Sequence, residues 1–230
     1  MFLSILKLLR HNTQILFSNK LIYFLLIALG AYILMLSKII FSDNDVTIAT
    51  TYPMLVVPAV VFVFYPSCFA IQNDQDNKII ELIFGIANYR YKVWLFRLVI
   101  TYVISFVIAY LLSLFTNWGV IDIPAMEMAL QVMVPTIFLS TMCFLLSCLI
   151  RNGNGSAVVF FLLAGLLVVL DSNLGTSQWN IMLNPFAYPT NSNLEIFNDT
   201  VEANRITFIC ISVVMLTTGL ATLQNREKFI

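Results

Sequence analysis

Charge is the scarcest property of this chain. Twelve Lys and Arg with twelve Asp and Glu make up 10% of 230 residues, against roughly 25% in an average soluble domain. So few charges cannot wet a globular surface, and with 60% hydrophobic residues the composition is that of a membrane protein. The formal net charge is zero, so there is no basic field of the kind that draws a nucleic-acid partner. Histidine occurs once, as His11, which excludes His-Glu-x-x-His zinc chemistry and reads as a surface side chain. Cys68, Cys143, Cys148 and Cys210 each sit in an apolar run without Cys-x-x-Cys spacing. That argues against a disulfide framework or zinc site and for small apolar packers. No Gly-x-x-x-x-Gly-Lys-Ser/Thr loop is present, so this chain does not bind nucleotide in that manner.

Long apolar runs, by contrast, are abundant. A helix needs about 20 mostly apolar residues to cross a bilayer core, because no water is there to satisfy backbone groups. Six stretches meet or approach this: 21–41, 52–72, 93–115, 129–150, 156–171 and 206–223. The fifth is the weakest, its uninterrupted apolar part running only from Ala157 to Leu170. Basic residues argue for keeping it. With six spans and both termini in the cytoplasm, Lys7, Arg10, Lys20, Lys78, Arg90, Lys92, Arg97, Arg151, Arg226 and Lys228 fall inside. Only Lys38 and Arg205 fall outside, a ten-to-two asymmetry that is the expected positive-inside bias. Omitting the fifth span moves Arg226 and Lys228 outside and spoils the sorting.

The remaining segments find places around these spans. Residues 1–19 mix Leu3, Leu6, Leu9 and Ile15 with Lys7 and Arg10, as suits an interfacial helix, and carry no signal-peptide cleavage pattern. The 172–205 segment, with Trp179, Phe186 and Tyr188, is expected outside, carrying short helices that dip into the outer leaflet. The glycines of Arg151-Asn152-Gly153-Asn154-Gly155-Ser156 are expected to permit a sharp inner reversal. Pro53, Pro58 and Pro66 in the second span and Pro135 in the fourth predict kinks. Gly30, Ala31, Gly165 and Gly219 are candidates for close helix approach. Between the span ends the ionisable candidates are Lys38 and Arg97, each near enough to an end to snorkel. No midplane carboxylate is expected for a proton relay, and Asp171 reads as solvated at a boundary.

One segment combines charge with an apolar stripe. Over residues 73–92, Ile79, Ile80, Ile83, Phe84, Ile86 and Ala87 recur at helical spacing. Asp76, Asn77, Lys78 and Glu81 form a polar side, closed by Tyr89, Arg90, Tyr91 and Lys92. Charge sorting places it in the cytoplasm, as an ordinary interfacial helix or as a docking helix for a soluble partner. The run Asp76-Asn77-Lys78-Ile79-Ile80-Glu81-Leu82-Ile83-Phe84, followed by Arg90 and Arg97, resembles the signature after the second span of ABC-2 type permeases, the membrane subunits of type V ABC transporters. Asp76 matches the family's acid, Glu81 with Ile83 and Phe84 its Glu-x-Leu-Leu, Arg90 its basic residue and Arg97 the Lys at the foot of the third span. Lys78-Ile79 stands in place of the usual Gly-Thr, and Ala87 near the usual Pro.

The fold expected is all-α and integral to the membrane, a single transmembrane domain over 1–230. It comprises six spans, an N-terminal interfacial helix, a cytoplasmic coupling helix and short re-entrant helices before the last span. The resemblance implies a non-catalytic permease subunit in a bacterial cytoplasmic membrane, paired with a second identical or related permease. It implies docking of a cytoplasmic ABC ATPase dimer through Asp76, Lys78, Ile79, Glu81, Leu82, Phe84, Tyr89 and Arg90, with Arg97 as the basic residue at the membrane foot. ATP and Mg²⁺ then belong to the partner, and this chain binds no cofactor of its own. An accessory membrane protein that anchors a cytoplasmic partner is the alternative. An intramembrane enzyme ranks lower, because no cluster of Glu, His or Asp lies within the spans.

Overall fold

The computed structural model describes residues 21–41, 46–76, 83, 85, 89–189 and 193–224. Among these there is no strand. The helices are α1 Leu21–Ile40, α2 Ile48–Cys68, α3 Ala70–Asp76, α4 Phe96–Gly119, α5 Ala125–Ile150, α6 Gly153–Leu174 and α7 Leu194–Thr222, with a π-helical turn, Arg90–Leu95, leading into α4. Five helical stretches are long and apolar enough to cross a membrane: Ile48–Asp76, Tyr91–Gly119, α5, α6 and α7. The qualifying part of α1, Ile22–Lys38, is shorter. The architecture is that of a helical, multi-pass membrane protein. The interfacial helix expected over 1–19 lies outside the described residues.

Two expectations about element lengths are corrected. The fifth apolar run is not short: α6 has 22 residues, because Asn152 caps its start by accepting from Gly155 N and the helix runs on past Asp171 to Leu174. The short helices expected within 172–205 do not form among the described residues. Residues 194–205 open α7 instead, capped by Asn193, which accepts from Glu195 N. Residues 175–189 form successive turns, closed by bonds such as Asn180 N to Ser177 O (3.1 Å) and Leu183 N to Asn180 O (3.1 Å). Side chains compete with helix here: Asn180 Oδ1 accepts from Met182 N and Asn184 Oδ1 from Phe186 N, each at 3.0 Å. This turn segment covers what we term the capped end of the bundle, and the opposite end is the foot.

The bundle is built around α5, which packs against α2, α3, α4, α6 and α7. Its buried positions, from Met128 to Cys148, occur on every side. The helix α6 is its opposite, with only Gly153, Ser156 and Phe160 buried and a face such as Leu162 left 69% exposed, as a lipid-facing helix requires. A chain of buried hydroxyls ties three helices, with Ser67 Oγ 2.6 Å from Ser140 Oγ and Ser140 donating to Tyr102 OH at 3.3 Å. The prolines are absorbed within α2 and α5. Helix α2 ends two residues beyond Pro66, and the chain bends at Phe69 before continuing as α3.

Glycine acts where backbones meet, and at the reversal between α5 and α6 it does not make the turn. The left-handed residue there is Arg151 (φ 61°). Gly153 instead lies against α2 and α3: an added Cβ would stand 2.4 Å from Phe69 Cδ1 and 2.6 Å from Gln72 Oε1, the same oxygen that accepts from Gly153 N. Gly219 similarly faces Phe144, whereas nothing lies within 4 Å of a Cβ at Gly30 or Gly165. Of the small residues singled out by sequence, Gly219 is therefore at a close approach and those two are not. Gly153→Val is expected to lower stability by about 1–3 kcal/mol through overpacking. Gly165→Ala should leave it unchanged or raised by up to about 1 kcal/mol. Thermal melts of the two variants in detergent check the contrast.

Candidate functional site at the foot of the bundle

The segment singled out by sequence begins where α3 ends and finishes in the π-helical turn before α4. Asp76 is the exposed last residue of α3. Lys78, Ile79, Glu81, Leu82 and Phe84 lie outside the described residues. Ile83 is buried in a cluster with Ile71, Trp94, Leu98, Phe144 and Leu223, so the apolar stripe of the segment does turn toward the bundle at this position. Tyr89 differs from the expectation of a docking contact. It is buried, and its hydroxyl donates to the carbonyl of Leu223 at the end of α7, which makes it an internal anchor. Arg90 opens the π-helical turn, a widened geometry often found at functional sites.

Arg97 is the largest departure. Sequence reading let it snorkel to the headgroups, but it is buried in the first turn of α4, after the π-helical turn has already entered the bundle. Its Nη1 lies 2.5 Å from Asp74 Oδ2, with the two side chains 6% and 4% exposed. Its guanidinium stands 5.2 Å from the centroid of the Trp94 ring, a cation–π arrangement. Asp74 was assigned by sequence to a cytoplasmic segment. The helical stretch that begins at Ile48 carries on to Asp76, and this draws Asp74 inside. The signal for it was Arg97 itself, since a cation on an apolar helix needs a partner within reach. Breaking an ion pair this buried is costly, because removing either partner leaves an uncompensated charge.

A second polar cluster closes the capped end. Arg205, expected on the outer side of the last span, is 8% exposed, because α7 starts eleven residues earlier than Arg205 and carries it into the bundle. Among the described residues its partners are neutral: Nε donates to Gln131 Oε1 (2.8 Å), Nη1 to Asn204 Oδ1 (3.1 Å), and Nη2 to Leu183 O (3.0 Å) and Tyr52 OH (3.4 Å). Asn204 is fully buried and its Nδ2 donates to Gln178 O (2.9 Å) and Asn180 O (2.8 Å). Asn184 Nδ2 donates to Ala49 O (2.6 Å) at the start of α2. Backbone carbonyls of the turn segment are thus clasped by α7, and the segment in turn grips α2.

Among the described residues, no group of three or more His, Cys, Asp or Glu is placed to hold a metal ion. The chemistry on offer at the foot is an ion-paired link between two helical elements, α3 and α4; at the capped end it is a hydrogen-bonded closure. Comparison with family models, with curated proteins and with solved structures returns no match.

Proposed function

We propose that this chain is the membrane-spanning subunit of an ATP-driven exporter, a permease of the ABC-2 type. It works with a cytoplasmic ABC ATPase dimer, which holds ATP and Mg²⁺, and with a second identical or related permease in a bacterial cytoplasmic membrane. One observation carries the reading: the buried Asp74–Arg97 pair joins the feet of the two helices flanking residues 77–88. Force applied to that segment by a partner loads both helices at once, as a coupling element requires. The resemblance of Asp76, Glu81 and Arg90 to the permease signature supports the same reading. On it, α1 is the first of six spans, with the bilayer thinned around it, and both termini are cytoplasmic. The cargo is amphipathic or hydrophobic, peptide or lipid-like.

Affinity purification of the full chain from solubilised membranes is expected to recover a cytoplasmic ATPase. Glu81→Lys should lower that recovery about tenfold, as reversal of an interfacial charge does. Recovery unchanged by the reversal, or transport by the chain purified without any ATPase, would overturn the proposal.

A further inference from the structure

A cavity of about 660 Å³ lies where α6 leans away from α2, within the roughly 300–1,000 Å³ range of small-molecule sites. One face of α2 from Tyr52 to Val61 forms one wall, and Phe160 to Asp171 of α6 forms the other. Pro135 and Leu139 of α5 lie behind, and Ile181, Met182 and Asn184 of the turn segment cover the capped end. The space exists because α6 presents Ala164 and Gly165 there, and a Cβ at Gly165 would meet nothing within 4 Å. The α2 wall spans nine residue steps, about 14 Å at the α-helical rise. That length suits an extended alkyl chain.

The walls are apolar except at the capped end, where Asp171, Tyr52 and Asn184 gather. Asp171 is the charged residue of the lining. Its Oδ1 accepts from Asn180 Nδ2 at 2.7 Å, and its Oδ2 has no hydrogen-bond partner among the described residues. Arg205 stands behind Tyr52, engaged with neutral acceptors, and does not line the cavity. The charged group in direct reach of an occupant is therefore a carboxylate, with the Arg205 guanidinium one layer back, 6.0 Å from the Tyr52 ring centroid. The outward side chains of α6, such as Val158, Leu162 and Val169, are left exposed, as suits a helix that borders lipid.

We infer that this cavity is a binding site for a single-chain amphipath with an amine or other cationic head, its alkyl chain along α2 and its head at Asp171. The site lies within one chain and does not depend on the permease reading. An alkyl chain arriving from lipid gains little from the apolar walls beyond close packing, so selection rests on the head, which gains a carboxylate that sulfate- or phosphate-headed amphipaths do not.

The test uses the full chain in nanodiscs and dodecylamine carrying a diazirine at the chain terminus, photocrosslinked and mapped by peptide mass spectrometry. Crosslinks are expected on residues 57–61 of α2 and 160–165 of α6. Unlabelled dodecylamine should compete roughly fivefold better than dodecanol, the equivalent of about 1 kcal/mol for a half-exposed charge pair, and dodecyl sulfate least. Asp171→Asn should erase that preference while leaving the crosslink positions in place. Gly165→Phe should abolish crosslinking, and Ala164→Leu, a smaller change, should reduce it if Gly165→Phe does not fold. Labelling spread over the exposed face at Leu162 and Val169 would mean bulk lipid only and would overturn the inference. So would equal competition by the amine and the sulfate.

Discussion

Asp74→Ala is expected to destabilise the folded bundle by about 3–5 kcal/mol, because it strands the Arg97 guanidinium inside the foot. Arg97→Ala should cost a similar amount by stranding the carboxylate, and it also removes the contact with Trp94. The magnitude separates this pair from the neutral hydrogen bonds of the bundle. Ser67 with Ser140, for instance, is a membrane-type hydroxyl bond worth about 0.6 kcal/mol. Replacing both members with apolar residues of similar size, Asp74→Leu with Arg97→Met, should recover most of the loss, since no charge is then left behind. Unfolding of purified protein by denaturing detergent reads all four states. A single-variant loss below about 1 kcal/mol would show that water reaches the pair and that the foot is not held as argued.

Asn204→Ala should open the capped end. It deletes two donations to the carbonyls of Gln178 and Asn180 and the acceptor used by Arg205 Nη1. Three bonds at about 0.6 kcal/mol each amount to about 2 kcal/mol. Because the lost partners lie on the turn segment, the effect is local: amide exchange across residues 177–183 should accelerate by roughly thirtyfold, while α5 keeps its protection. A uniform rise in exchange over the whole bundle would instead assign Asn204 to global stability. The two substitutions act at opposite ends, so in the double variant the global loss from Asp74→Ala and the local opening from Asn204→Ala are each expected to persist.

Charge sorting and hydropathy located the helices well but not their partners. The six apolar runs overlap α1, α2, α4, α5, α6 and α7, and the misplaced limits were those where polar residues continue a helix beyond its apolar stretch. Asp74 follows Ile71 by one helical turn on the same buried side of α3, yet in a hydropathy window it registers only as the end of a span. Arg205 was left in the outer segment before the last span for the same reason. The eleven residues of α7 before it are too polar to score as membrane, although they are helical and carry it beneath the turn segment. Tyr89 looked like part of an amphipathic surface, and the hydrogen bond to Leu223 that turns it inward joins positions 134 residues apart.

A helical multi-pass membrane protein, roughly the residues of its helices, and a stretch of clustered charge between residues 73 and 92 were all legible in the sequence. These follow from sums over neighbouring residues: apolar length against bilayer thickness, and the spacing of polar residues between apolar runs. Only the tertiary structure decided that Asp74 meets Arg97, that Asn204 and Arg205 clasp the turn segment, that α5 is central while α6 faces outward, and that a cavity with one carboxylate opens between α2 and α6. Those outcomes depend on the rotation of each helix about its axis and on contacts between residues far apart in the chain. A local sum over twenty apolar residues averages a single buried charge away, whereas packing gives that charge a partner or leaves it stranded at a cost of several kcal/mol.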